Sequence, residues 1–314
     1  MDKRISTKLK TIPVLGLFVG LLQKVRLSMN SNWSLYDLLE LYVIGIVKGA
    51  LSSRAGAIAF SLFMAIFPLL IFLITLLPFI VPYVPVDDFE IQFMAFMQAA
   101  VPGDSGNYLI TAFEEIQSRN RSGLLSWTFV LTIFLIANGV NAILSAFENS
   151  YHVELTRNFF KQYLVSLMLG LLIALFIVIA AVAYIYIKFY TIQILNRFDY
   201  SDSNTTAIAV VQLVVFPLVI YFFTSLIYFF GTKEGTKGRF FTLGSVMTTI
   251  LFLVTFYFFG IYIDDFSSYN RLYGALGGLL ALMLFIWLNS NILLLGFELN
   301  ATIQRLKRHS KDLV

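Results

Sequence analysis

Between Arg271 and Glu298 the chain runs for 26 residues without a charge, LYGALGGLLALMLFIWLNSNILLLGF. As a helix at ~1.5 Å per residue this stretch is roughly 39 Å long, more than the ~30 Å hydrocarbon core of a bilayer. It carries small residues on one side and amides and a carboxylate toward one end, the pattern of a packed membrane helix with a polar face. Five further uncharged windows fit a span: Ala55–Val86, Ser122–Phe147, Gln162–Ile187, Ser203–Thr232 and Phe240–Ile263. Each holds at least 24 residues, beyond the roughly 20 a spanning helix needs. Ten-residue alternating barrel strands are not what this pattern shows. Only 13% of the chain is charged, against about 25% in soluble domains. The expectation is an all-α integral membrane protein with six transmembrane helices in one domain, and short amphipathic helices in the N-terminal segment and first outer loop.

Six spans put both termini on one side. That side holds 17 Lys and Arg residues and the other five, so the positive-inside rule makes the first side cytoplasmic. The opposite loops collect acids, among them Asp87, Asp88, Glu90, Asp199, Asp202, Asp264 and Asp265. A pI near 9.1 then reflects membrane topology rather than nucleic-acid binding. Cysteine is absent, which excludes disulfides, thiolate metal sites and a cysteine nucleophile.

Residues 1–53 read as a basic cytoplasmic segment, 54–304 as the transmembrane domain and 305–314 as a basic cytoplasmic tail. Thr11–Gln23 is too short an apolar run to span. Ser34-Leu-Tyr-Asp37 has the form of a helix start, opening a helix to about Lys48 that lies on the membrane or against the bundle. In the outer loop 82–121, Phe89, Phe93, Phe96 and Met97, then Leu109, Ala112, Phe113 and Ile116, recur at helical spacing and predict two short capping helices.

Several residues are candidates for packing or for a substrate path. Pro68 and Pro217 interrupt the first and fourth spans, where a kink without function is the default reading. Gly274 and Gly278 form a GxxxG pair beside Gly277, more simply explained by packing within the bundle than by a dimer seam. Asn138, Asn141, Ser145, Glu148 and Asn149 make a polar stripe at steps of three, four, three and one. Amides in lipid need partners, so this stripe is expected to face the bundle interior or water. Asn291, Glu298, Thr302 and Arg305 fall on one face of the last span, and Asn289, Asn300, Gln304 and Arg308 form a second polar line. Interhelical hydrogen bonding and substrate contact are equally good readings of these stripes. Arg54, Glu148 and Glu298 lie at similar depth near the cytoplasmic boundary. Alone, Arg54 reads as a snorkelling anchor. Together they suggest an Arg54–Glu298 pair with Asn149 nearby, closing or lining a cytoplasmic vestibule.

Enzyme chemistry finds no support in these residues. There are only two histidines, His152 and His309, and no H-E-x-x-H, G-x-S-x-G or phosphate-cradling loop. No cofactor, metal site or nucleic-acid partner is expected, and the chain is read as a non-enzyme. Membrane lipids, in particular anionic ones, are the expected partners, with a homo-oligomer or an envelope protein as further possibilities.

Three stretches carry a family resemblance. Arg54-AGAIAFSLFMAIFPLL, FENSYHVELTR and SYNRLYGALGGLLALMLFIWLNSNILLLGFELNA resemble the signatures of the YihY/BrkB family of bacterial inner-membrane proteins, once labelled ribonuclease BN-like. The resemblance covers roughly residues 35–305 and places Arg54, Phe60, Ser61, Pro68, Asn149, Arg157, Tyr273, Gly274, Gly277, Trp287, Gly296, Glu298 and Asn300 on its characteristic positions. Gly231 departs from it, since family members commonly carry proline there. The resemblance implies a six-helix cell-envelope protein linked to envelope integrity, serum resistance and export of lipid or lipopolysaccharide precursors. A ribonuclease would need metal ligands and a water-activating cluster, which this chain does not offer. The functional expectation is a transporter or flippase for a lipid-like or amphipathic anionic substrate. The alternatives are a small-solute or ion transporter and a non-transporting envelope scaffold.

Overall fold

The computed structural model describes residues 34–80, 89, 91, 122–153, 156–197, 204–265 and 275–311. Every regular element among them is a helix: α1 (Leu35–Lys48), α2 (Leu51–Ile80), α3 (Ser122–Glu148), α4 (Phe159–Arg197), α5 (Asn204–Gly231), a 3-10 turn (Gly235–Lys237), α6 (Leu243–Asp265) and α7 (Ala275–Lys311). Apart from Phe89 and Ile91, both helical, the two helices expected within 82–121 lie outside the described residues, as do the Thr11–Gln23 run and Gly274.

Six of these helices, α2 to α7, are long and apolar enough to cross a membrane. The first helix starts where its sequence motif says. The Asp37 amide donates to Ser34 Oγ (3.3 Å) and the Ser34 amide to the Asp37 carboxylate (2.8 Å), a reciprocal cap. At the other end of the chain, α7 continues without a break past residue 304 to Lys311. The stretch read as a tail is therefore largely the last two turns of the final span's helix.

The six long helices form a closed ring in chain order. Each packs on the next, α7 returns to pack on α2, and α3 also reaches α5 and α7 across the ring. Exposed side chains point away from this ring: Phe60, Met64, Phe67 and Ile71 form an outward row along one face of α2. The interior core gathers Ala55 and Ile58 of α2, Val140, Leu144 and Phe147 of α3, and Leu294 and Phe297 of α7. Phe147 stacks on Phe297 with ring centroids 4.0 Å apart and planes 5° apart, filling the ring at one end. Gly231 admits that stack, because a Cβ there would meet Phe147 Cδ2 at 2.6 Å.

Pro68 stays inside a continuous α2, and its carbonyl accepts a hydrogen bond from Thr132 of α3 at 2.8 Å. The backbones of α6 and α7 come together at Gly244 and Gly296. A Cβ on either would strike the other's carbonyl oxygen. Of the glycines expected to pack, Gly277 is buried and Gly278 half-buried. The Gly244–Gly296 contact lies about five turns further along α7.

Lys48, Arg157, Lys161, Lys233, Arg239, Arg305, Lys307 and Arg308 all lie at the end where α2, α4 and α6 begin and α3, α5 and α7 finish. This is the basic end of the bundle.

Candidate functional site at the basic end

Three elements converge on the carboxylate of Glu298, which α7 carries three turns before its C-terminus. The guanidinium of Arg54, one turn into α2, meets Glu298 Oε1 at 2.7 Å. Ser150, just past α3, donates to Oε2 at 2.8 Å. Side-chain exposure is 9% for Arg54 and 0% for Glu298, so the carboxylate is fully withdrawn from solvent and the guanidinium nearly so. A second guanidinium nitrogen of Arg54 donates to the Ala146 carbonyl at 2.8 Å, while its Nε is buried without a partner. Both carboxylate oxygens are thus engaged. A buried ion pair of this kind contributes little net stability against an apolar replacement, yet is costly to break from one side.

His152 extends this cluster. Its Nε2 lies 3.0 Å from the Leu41 carbonyl of α1, and its Nδ1 lies 3.0 Å from an Arg305 guanidinium nitrogen of α7. A carbonyl only accepts and a guanidinium only donates, so these partners select the neutral ring protonated at Nε2. Burial pushes the His152 pKa below 6.5, and Arg305 pushes it further down. The Leu41 hydrogen bond and Glu298 act in the opposite direction. Tyr151 sits between Lys48 and Arg305, whose cationic groups lie 5.3 and 5.2 Å from its ring centre.

The close approach of α1 depends on Gly45. A Cβ at that position would lie 2.6 Å from His152 Nε2 and 3.2 Å from Glu298 Oε2. Three residues earlier, the Tyr42 hydroxyl donates to the Leu295 carbonyl at 3.2 Å.

Beside this cluster, polar side chains close helix ends. Arg157 donates to the Gly231 and Phe230 carbonyls, both at 3.0 Å, satisfying the C-terminus of α5. Its backbone amide donates to Glu148 at 3.2 Å. Asn300 of α7 caps α6 from outside that helix: its Oδ1 accepts from the Gly244 amide and its Nδ2 donates to Thr242 Oγ1, both at 2.9 Å. Arg308 makes a bidentate pair with Glu234. Between these ends lies a narrow crevice, partly open to solvent. Arg239, Thr242, Asn300 and Gln304 line its polar side, and Tyr228 and Phe297 its floor.

The predicted stripe on α3 divides. Asn141 and Ser145 both accept from Gln162 of α4, at 3.2 and 2.7 Å, and Glu148 holds Arg157. Asn138 and Asn149 are exposed instead of facing the interior. At ~100° per residue the stripe is about 100° wide, and it straddles the edge of the α3–α4 contact. Those two amides fall on its outer margin. The residue at this end of α3 that bonds Glu298 is Ser150, next to the exposed Asn149. Asn291 bonds back to the Trp287 carbonyl of its own helix at 2.8 Å. Ser150 and His152 were missed by sequence reasoning. Their only signal was position, directly after a span that ends level with Arg54.

A closed ring of six apolar helices with a buried ionic cluster at one end defines an α-helical, multi-pass membrane protein. The family described as Virulence factor BrkB matches residues 45–313, and the chain belongs to that family. It is 25% identical over 256 residues to "Putative ribonuclease-like protein YfkH" of Bacillus subtilis, covering 82% of this chain and 91% of that one. It is 23% identical over 248 residues to a "UPF0761 membrane protein" of Coxiella burnetii, covering 77% of this chain and 84% of the other. A UPF0761 membrane protein of Psychrobacter is 33% identical over 93 residues, 30% of this chain and 17% of that one. No solved structure matches.

Proposed function

We propose that this protein moves a lipid-like or amphipathic anionic substrate across the bacterial cytoplasmic membrane, with the basic end and both termini in the cytoplasm. The observation that carries the reading is the Arg54–Glu298–Ser150 cluster, which ties α2, the α3–α4 connection and α7 together. Ionisable groups at membrane depth are costly and mark substrate paths more often than structural positions. Here the cluster closes the end of the ring that carries the basic rim, the side suited to anionic headgroups. Passage from that side requires Glu298 to release Arg54, and an anionic headgroup is a ligand that competes for the guanidinium. No nucleotide-binding loop is present in the sequence, so an ion gradient or a partner protein would drive the cycle. We assign no catalytic role: His152 is held between a carbonyl and Arg305, and Glu148, Glu234 and Glu298 are each engaged by a partner.

One set of observations favours the runner-up, a non-transporting envelope scaffold. Thr132, Asn300 and Gln162 all spend their polar groups on neighbouring helices, as interhelical glue would. Mass spectrometry of copurifying lipids separates the two. Wild-type protein, Glu298→Gln and an unrelated six-helix protein would be purified identically. Enrichment of one anionic lipid in the wild type, lost in Glu298→Gln, supports lipid handling. Bulk-membrane ratios in all three samples overturn it and leave the scaffold or a small-solute pathway.

A further inference from the structure

The first helix, α1, is neither a cytosolic arm nor part of the ring, and its two faces differ. Leu38 and Gly45 are buried and Tyr42 is tethered to Leu295; at i, i+4 and i+7 they form one face, docked on α7. The opposite row is apolar and uncovered: Leu39, Val43 and Val47 are 39%, 54% and 75% exposed.

Depth decides what meets that row. Leu295 lies within the charge-free run of α7 that ends at Phe297, and Glu298 follows it directly. The Tyr42 bond reaches Leu295, one turn or ~4.5 Å inward of Glu298, and Gly45 lies against Glu298 itself. Tyr42 and Gly45 thus pair with Leu295 and Glu298 at a constant offset, so α1 runs alongside α7 in the same direction over this turn. Lys48 then ends the helix with its ammonium over the Tyr151 ring, where a long cationic side chain can reach out to the interface. Two residues later α2 begins. At 14 residues, about 21 Å, α1 is too short to cross the bilayer.

We propose that α1 is a seventh membrane-embedded helix, sunk in the leaflet at the basic end, with Leu39, Val43 and Val47 against lipid acyl chains. Its inner face then has a definite task. Glu298 is closed off on this side by the backbone of Gly45, and without α1 the carboxylate would face hydrocarbon at severe cost. Embedding α1 satisfies both faces at once: the apolar row is in lipid, and the glycine lies on the ionic cluster. The inference is independent of any transported substrate.

The test exploits the absence of cysteine, which makes any introduced thiol the only one. Val43→Cys and Val47→Cys remove no packing, since both side chains are exposed. Each would carry bimane on the full-length protein in phosphatidylcholine nanodiscs, with Phe60→Cys on the outward row of α2 as lipid reference and Lys307→Cys as aqueous reference. Lipids bearing a nitroxide on the acyl chain should quench the Val43 and Val47 probes as they quench Phe60, and aqueous iodide should reach only Lys307. Iodide quenching at Val43 and Val47 equal to that at Lys307 would overturn the proposal in favour of a solvent-exposed helix. Protection from both quenchers would overturn it in favour of a protein partner, including a second copy.

Discussion

Glu298 concentrates the electrostatics of the basic end in one carboxylate, held on one oxygen by Arg54 and on the other by Ser150. Removing either member of the ion pair strands a buried charge, so Arg54→Ala and Glu298→Ala should each cost about 3–5 kcal/mol. The double variant should cost well below their sum, because the second substitution removes the charge the first left unpaired. Unfolding of the four proteins in detergent measures the coupling, and additive losses would show that the pair does not act as a unit. His152 makes the same region sensitive to pH. Its folded pKa lies below 6.5 because burial and Arg305 disfavour the imidazolium. On acidification the unfolded chain therefore binds this proton first. The stabilisation is complete above about pH 6.5 and is lost as pH falls through the folded value. The wild-type melting temperature should drop more steeply below pH 6.5 than that of His152→Gln. Parallel curves would mean that His152 takes up its proton equally in the folded and unfolded chain.

Among the elements, α6 and α7 are fastened at Gly244, Gly296 and Asn300. Gly296→Ala places a methyl group on the Gly244 carbonyl, Thr248 and the Tyr228 hydroxyl. These neighbours are backbone or mutually bonded, so the helices must separate. Gly278→Ala, at a half-buried site, should be far milder. A comparison of melting temperatures by tryptophan fluorescence checks the order, and equal effects would reassign the fastening point. Asn300→Ala leaves the buried Gly244 amide without its acceptor and should cost about 1–3 kcal/mol. Recovery of that loss by Asn300→Asp, which retains a side-chain oxygen acceptor for the Gly244 amide, would identify the cap as the cause.

At the scale of the whole molecule, the ring closes by packing α7 on α2, the last span on the first. The Arg54–Glu298 contact joins residues 244 positions apart in sequence, so the ionic cluster forms only once the ring is complete. The asymmetry of 17 against five basic residues predicts which end faces the cytoplasm. Green fluorescent protein fused after Val314 should fluoresce, and alkaline phosphatase fused there should be inactive in a bacterial host. The reverse result would invert the topology and place the basic rim outside.

Charge-free runs sufficed to locate six membrane helices, because hydrocarbon admits few charges and demands that each backbone satisfy itself along its own helix. The Ser34 cap was equally legible, since both of its partners lie within four residues. Arg54 and Glu298 could be matched from depth alone, as two opposite charges near one boundary with few other partners. Rotation about each helix axis was not legible in the same way. With lipid on one side and apolar neighbours on the other, both faces of a span are hydrophobic and little in its pattern marks the inward side. That ambiguity hid the outward turn of Asn138 and Asn149, the roles of Ser150 and His152, and the meeting of Gly244 with Gly296. Composition set which segments enter the membrane. Only the packing of one helix against another decided which of their few polar atoms meet.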